Sequence, residues 1–266
     1  MKKITCDTHT HTLYSRHAYS TIEENVRAAA EQGLELLAST DHFGCMLYPG
    51  NDIRDFQYLY NQDMWPRQWH GVKLLRGVEA DIVDLEGHLY GHGVSLLYSM
   101  LGEKFEQPEE LSQRIINRQD YVIASIHKRS FTEGATIGQT TDMYCRAMEQ
   151  PKVFILGHVG RACVPFDLDT VLLHAKQTGR LIEINEHSFD KTGKAIDNCR
   201  NIAVRCAELG VSVSLGTDAH VSCFIGKFDH CLEMLEEIHF PEELIASRDA
   251  KTYLKALDKA GIYSEA

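Results

Sequence analysis

The chain opens on Lys3-Ile4-Thr5-Cys6-Asp7-Thr8-His9-Thr10-His11-Thr12. Lys3–Asp7 reads as a short β-strand that runs out into two histidines. Residues i and i+2 of an extended chain share a face, so His9 and His11 can reach one ion side by side. Asp7 lies on the same face one step deeper, where a carboxylate suits an orienting role behind the ligands. Next comes Ser20-Thr21-Ile22-Glu23, a capping box with Ser20 as N-cap and Glu23 at N3. The helix it opens, Thr21–Gln32, closes at Gly33. A second strand, Leu34–Thr40, again runs into polar residues, Thr40-Asp41-His42.

The same unit recurs along the chain. Strands are expected over Lys73–Glu79 (continuing to Val83), Tyr121–Ile126, Val153–Leu156, Leu181–Ile184 and Val211–Leu215. Helices are expected over Pro108–Arg118, Thr140–Glu149, Leu168–Gln177, Ala195–Leu209 and from about Asp229 onward. This alternation argues for a mainly parallel sheet with helices packed outside it. No Ser/Gly/Pro linker or internal repeat interrupts it, so residues 1–266 read as one domain. Glu86–Gly93 and Ser130–Gln139 carry no clear pattern. Gly44–Gly71 is a long insertion rich in aromatics (Phe43 just before it, then Tyr48, Phe56, Tyr58, Tyr60, Trp65, Trp69) and reads as a cover narrowing the mouth of a site.

Each strand delivers a chemically active group at its end. The first two give His9, His11 and His42; the third carries Glu79; the next four end in His127, His158, Glu183-Ile184-Asn185 and Asp218-Ala219-His220. In α/β barrels the C-terminal strand ends build the active site. Imidazole and carboxylate together suit Zn²⁺, Mn²⁺ or Fe²⁺. Glu79 in an apolar strand would be a costly unpaired charge unless cations meet it. The eight cysteines show no C-x-x-C pair, which excludes a zinc-finger reading and fits reduced thiols in the cytoplasm. His70, His88, His92, His174, His230 and His239 show no strand-end placement and read as surface residues or as groups standing behind the ligands.

Composition bounds the rest. A chain of 266 residues, 44% hydrophobic and 24% charged, can bury a full core. A net charge of −11 without a basic tract argues against an extended nucleic-acid partner. No apolar run is long enough to span a membrane, and Met1-Lys2-Lys3 lacks the apolar segment of a secretory signal.

The motifs D-T-H-T-H-T at 7–12, H-A-Y-S-T at 17–21, T-D-H at 40–42, R-G-V-E-A at 76–80, S-I-H at 125–127, L-G-H at 156–158, E-I-N at 183–185, D-N-C-R at 197–200 and G-T-D-A-H at 216–220 occur in order. In this set the chain resembles the PHP (polymerase and histidinol phosphatase) superfamily, its YcdX-like phosphatase branch in particular. The resemblance implies a distorted seven-stranded β/α, TIM-like barrel with a trinuclear metal site. It implies His9, His11, Glu79 and Asp218 on one ion, Glu79 bridging to a second with His127 and His158, and His17, His42 and His220 on a third. His17 enters only through the resemblance, because it lies in the loop after the first strand. Val159 and His187 depart from the pattern, and His187 is a candidate substrate contact.

The expected activity is metal-dependent phosphoester hydrolysis of a small phosphorylated metabolite by a metal-bridging hydroxide, with Glu79, Asp218 and His220 at the catalytic centre. Arg16, Lys128, Arg129 and Arg161 sit beside ligands and are candidates to hold the phosphate. A histidinol-phosphate phosphatase, a PHP-type nuclease, an amidohydrolase-like metal hydrolase and a non-catalytic metal-binding module are the alternatives. Metal stoichiometry separates the amidohydrolase, and diester against monoester turnover separates the nuclease.

Overall fold

The computed structural model describes residues 3–44, 52–190 and 193–263. Seven strands form one parallel path: β1 (Cys6–Asp7), β2 (Leu36–Ser39), β5 (Val72–Asp81), β8 (Tyr121–Ser125), β9 (Val153–Leu156), β10 (Leu181–Asn185) and β11 (Val213–Gly216). Two short strands flank β5: β3 (His42–Phe43) runs parallel to its end, and β4 (Gln68–Trp69) runs antiparallel to its start. Beyond the last strand, Thr10 bridges Ala219 in parallel, with Asp218 N–H donating to His9 O at 2.8 Å and His11 N–H to Ala219 O at 3.0 Å. These bonds bring the first and last strands together and nearly close the sheet into a barrel.

Helices α1 (Ile22–Gln32), α2 (Gln57–Tyr60), α3 (Leu111–Ile116), α4 (Ile137–Glu149), α5 (Val159–Ala162), α6 (Leu168–Thr178), α7 (Gly193–Leu209), α8 (Asp229–Glu237) and α9 (Ala250–Lys259) complete the fold. Strand alternation sorts the core. On β2, Leu37 packs toward Val26 and Ala29 of α1, whereas Leu36 and Ala38 join Leu75, Tyr121, Ile123 and Ile155 in a separate cluster. Tyr253 and Leu257 of α9 belong to that second cluster and seal its far end.

Several expected boundaries move. The cap of α1 is Thr21, paired with Glu24, rather than Ser20 with Glu23. The run Ser-Thr-Ile-Glu-Glu offers both registers, and Ser20 Oγ instead accepts from Ser222 N–H at 2.8 Å. Helix α4 starts at Ile137, on a second capping box between Thr136 and Gln139. The expected helix Pro108–Arg118 shrinks to α3, because Lys104–Glu110 is strand β7 of a hairpin with β6 (Ser95–Tyr98).

The described part of the insertion, residues 52–71, packs against the barrel. Phe43 and Phe56 are fully buried, edge to face, with ring centroids 5.2 Å apart. Tyr58 stacks on Tyr14, Tyr60 lies under Arg114 and Arg118, and Trp69 returns to the opposite end of the barrel. The described rings therefore cement loop to barrel. Tyr48 lies outside the described residues.

Candidate metal centre

Strand β5 carries Leu75, Gly77 and Glu79 on one face, so the apolar interior gives way to a carboxylate two residues after Gly77. Glu79 is fully buried. Its Oε2 lies 2.8 Å from His42 Nδ1, 3.3 Å from His9 Nε2 and 3.5 Å from His11 Nε2. Its Oε1 lies 2.7 Å from His158 Nε2 and 3.3 Å from His127 Nε2. Asp218 Oδ1 stands 3.1 Å from His11 Nε2 and 3.7 Å from His9 Nε2. His220 Nε2 is 2.9 Å from His17 Nε2. All nine residues expected as ligands thus converge.

Three groups have ligand atoms within 4.8 Å of one another: His9–His11–Asp218, His42–Glu79–His127 and His11–His42–His220. The partition differs from the expected one in its details. His11 takes the place of His17 in the last group, and His17 joins through His220.

The partners behind the rings decide which nitrogens face the centre. Carboxylates and carbonyls only accept, so each ring nitrogen bonded to one must donate. His9 Nδ1 donates to Glu183 Oε1 at 2.7 Å, His127 Nδ1 to Asp81 Oδ1 at 2.6 Å and His220 Nδ1 to the Asp218 carbonyl at 2.8 Å. His11 Nδ1 donates to Ser15 Oγ at 3.0 Å, because the Ser15 hydroxyl proton goes to Asp41 Oδ1 at 2.7 Å. In their neutral forms all four rings present a bare Nε2 inward. Yet His9 and His11 Nε2 lie 3.1 Å apart, and His127 Nε2 faces a carboxylate oxygen. Acceptor confronts acceptor. Glu79 Oε2, Asp218 Oδ1 and both His42 nitrogens are buried without a hydrogen bond; His42 and Glu79 approach closely but out of alignment. Divalent cations would satisfy these atoms together, and the donor set of imidazole and carboxylate fits transition metals.

The electrostatics carry the same tension. Burial opposes ionisation of Glu79, but His127, His9 and His42 hold its carboxyl well below the usual range. Burial likewise opposes charge on Asp218, and His9 and Arg161 overcome it. His9 is pushed up against burial by Glu183, Glu79 and Asp218, and His127 is raised to about 10 against burial by Glu79 and Asp81. His11 goes down through burial, His42 and His220; His17 falls to about 4 through burial, His220 and His42. His158 also falls to about 4, through burial and the neighbouring Arg161.

The backbone is bent to fit. His158 (φ 27°) and Asp218 (φ 56°) both take left-handed conformations that cost a non-glycine residue energy. Gly216 admits the close passage of β11: a Cβ there would stand 2.5 Å from both Glu183 Oε1 and His9 Cβ. Asp7 does not touch a ring. It accepts from Thr217 N–H (3.0 Å), Thr217 Oγ1 (2.6 Å) and Gly226 N–H (3.0 Å), so it positions the loop that carries Asp218, and burial lifts its pKa to about 6.

Of the basic candidates, Arg161 enters the site: its Nη2 is 2.8 Å from Asp218 Oδ2 and its Nη1 is 3.4 Å from Asn185 Oδ1. Arg16, Lys128 and Arg129 are exposed near the ligands they follow or precede. His187 Nδ1 donates to Asp190 Oδ2 at 2.8 Å, and its ring lies 6.1 Å from that of His220, centroid to centroid. Sequence reasoning missed Asp81 and Asp41 as orienting groups. Asp81 carried a usable signal, sitting at i+2 from Glu79 on the same strand.

Comparisons with known proteins bear on the family and the fold. A sequence model of the PHP domain family matches residues 7–266. A protein named a probable phosphatase from Thermoanaerobacter sp. (strain X514) is 37% identical over 257 residues, covering 95% of this chain and 95% of its own length. Another of that name, from Clostridium acetobutylicum, is 38% identical over 261 residues, covering 97% of each. The crystal structure of histidinol phosphate phosphatase from Lactococcus lactis subsp. lactis, complexed with zinc, L-histidinol and phosphate, matches with a TM-score of 0.50 at 17% identity. That match covers 99% of this chain and 96% of the other and bears on the fold alone.

Proposed function

The chain belongs to the PHP domain family, and from that premise we propose that it is a metal-dependent phosphomonoesterase acting on a small phosphorylated metabolite. Relatives at 37% and 38% identity are named probable phosphatases. The narrower reading rests on the inward-facing lone pairs of His9, His11, His127 and His220 around the orphaned oxygens of Glu79 and Asp218.

His9, His11, His17, His42, Glu79, His127, His158, Asp218 and His220 would hold up to three ions of zinc, manganese or iron. Such ions supply neutralisation of phosphoryl charge and a water acidic enough to ionise at neutral pH. The chain's own groups do the positioning. Glu79 spans two ligand groups with its two oxygens, fixing their separation. Glu183, Asp81 and Ser15 hold three rings in the tautomer that points Nε2 inward. Arg161 pins the outer oxygen of Asp218 and has further N–H groups with which to receive a phosphoryl oxygen. His220 stands at the open edge of the cluster, where the phosphoryl group would enter.

The net charge of −11 without a basic tract weighs against an extended nucleic-acid partner and favours a small substrate. Among the described residues no helix is long and apolar enough to cross a membrane. The eight cysteines without a C-x-x-C pair suit reduced thiols, and on that ground we place the reaction in the cytoplasm. The test is metal analysis of the purified protein combined with a screen of phosphomonoesters and a phosphodiester. About three ions per chain and monoester turnover are expected. One ion or none at saturation, or preferential turnover of diesters, overturns the reading.

A further inference from the structure

The motif Asp197-Asn198-Cys199-Arg200 supplies no ligand of the metal centre, and strand ends give it no role, because it lies inside helix α7 (Gly193–Leu209). Its side chains divide between two neighbours. Arg200 faces outward and pairs with Glu237 of α8 at 2.6 Å. Asn198 and Cys199 face α5, the turn that carries Arg161.

Helix α5 needs such a neighbour. It is a single turn, Val159–Ala162, and the residues flanking it, His158 (φ 27°) and Cys163 (φ 52°), both take left-handed conformations. A lone turn is unfavourable by itself, and its last carbonyls find no partner within the helix. Asn198 Nδ2 donates to one of them, Gly160 O, at 3.1 Å, and lies 3.6 Å from Cys163 Sγ. Cys199 presses on the same residue: a Cβ on Gly160 would stand 2.8 Å from its Sγ and 3.0 Å from its backbone nitrogen. The Cys199 thiol also meets the Ser188 hydroxyl. Ser188 N–H donates at 3.1 Å to Asn185 Oδ1, the oxygen that Arg161 Nη1 approaches at 3.4 Å. Two routes thus lead from the motif to Arg161, one through the backbone of α5 and one through Asn185. The His158 end of the turn is held separately, by its N–H to Glu183 Oε2 at 2.8 Å and by Glu79 on its ring. Gly160 lies beyond that anchor, on the part of the turn that aims Arg161.

On the reading that Arg161 receives a phosphoryl oxygen, we infer that Asn198 is a positioning residue for Arg161. It fixes the Gly160 carbonyl, and with Cys199 packed behind that glycine it holds α5 so that the guanidinium lies between Asp218 and Asn185. The side-chain contacts of Asn198 are with Gly160 and Cys163, so it acts on the reaction through Arg161 and not through the metal ligands.

The experiment is a double-mutant cycle in full-length, metal-loaded protein. It reads inorganic phosphate binding by calorimetry, kcat/KM for p-nitrophenyl phosphate, and metal content. Asn198→Asp keeps the shape but replaces the donor with an acceptor; Asn198→Ala removes the side chain. Asn198 is half-buried on the wall of an open cavity of about 320 Å³, so both variants are expected to fold, and urea unfolding checks this. Each should weaken phosphate binding about three- to tenfold and lower kcat/KM in proportion, with metal content unchanged. Arg161→Ala should weaken phosphate binding about ten- to a hundredfold. On that background Asn198→Asp should change it less than about twofold, because two residues acting through one contact do not add. A side chain that only supports the fold would cost the same factor with Arg161 present or absent. Additive losses, unchanged phosphate binding in Asn198→Asp, or loss of metal from that variant would each overturn the inference. Gly160→Ala, which forces α5 off α7, supplies an independent arm: it should weaken phosphate binding, and Arg161→Ala should abolish its effect. A Gly160→Ala loss that persists undiminished without Arg161 counts against the inference equally. The expected cycle in phosphate binding, with no phosphomonoester turnover, would refute the phosphatase reading and keep the role of Asn198. Turnover with additive losses would refute that role alone.

Discussion

The two ends of the barrel are made from the same strands and obey opposite rules. At one end Leu36, Leu75, Tyr121, Ile123 and Ile155 meet under Tyr253 of α9, with no charged side chain in the cluster. At the other, the same strands or the loops leaving them present Glu79, His127 and His158, and β10 passes from Leu181 to Glu183 and Asn185 in four residues. The apolar end is held by its own packing, with only the buried Tyr253 hydroxyl left without a hydrogen bond there among the described residues. The polar end is not: four Nε2 atoms and several carboxylate oxygens face one another, and some have no partner in the chain. A barrel can carry such a site because its other end supplies the stability. The unsatisfied groups are what bind something the chain does not encode.

The largest effect should come from striking the polar end at its centre. Glu79→Gln keeps the volume but removes the charge and one of the two bridging oxygens. Phosphatase activity should fall at least about a thousandfold, and metal analysis should show the loss of at least one ion. Retention of full metal content and rate would show that Glu79 does not bridge. Striking the apolar end should do the reverse. Leu36→Ala opens a cavity in a fully buried cluster, in register with Cys6 and Lys73 and away from Glu79, and should cost about 2–5 kcal/mol in denaturant unfolding, with metal content and kcat per folded molecule unchanged. An equal loss of metal would mean that the two ends are not independent.

A smaller effect probes the layer between them. Asp81 touches no ligand atom of the centre and acts only by fixing the His127 ring. Asp81→Asn should lower metal affinity roughly tenfold, as loss of an orienting partner commonly does, with a recoverable rate at high metal concentration. Competition with a chromogenic chelator reads this directly. An unchanged affinity would show that the ring is held by its packing instead.

The two ends also differed in how far the sequence revealed them. The parallel alternation was legible because each apolar strand is short, buried and flanked by an amphipathic helix; Val153–Leu156 is found with the expected bounds. The candidate ligands were legible as strand-end residues, apart from His17, whose loop position carries no periodic signal. What was hidden is tertiary. Asp41 and Ser15 form their relay across twenty-six residues of sequence. The hairpin β6–β7 was read partly as helix because its exposed, charged second strand, Lys104–Glu110, lacks a buried face to give it a period of two. Thr21 wins the cap from Ser20 because Ser20 is engaged by Ser222, a contact from the far end of the chain.

The smallest expected effect sharpens the comparison through pH. In the metal-free protein His17 and His158 titrate near 4, and His127 near 10, against about 6.5 for a free histidine. Between about 6.5 and 4 the unfolded chain binds protons that the folded His17 and His158 refuse, so stability falls as pH falls. His127 works the other way: its contribution is complete below about 6.5 and is lost as pH rises toward 10. The opposing arms should place maximum stability of the metal-free protein near pH 6.5. Ions accept only deprotonated imidazoles, so saturating zinc should remove the alkaline fall, and stability should keep rising above that pH. Leu36→Ala, remote from the titrating rings, should lower both curves without changing their shape. Urea midpoints from pH 4.5 to 9, with chelator and with zinc, read all of this. A metal-free curve that is flat across the range would show that the inward-facing nitrogens are satisfied within the chain, and the contrast between the two ends would lose its physical basis.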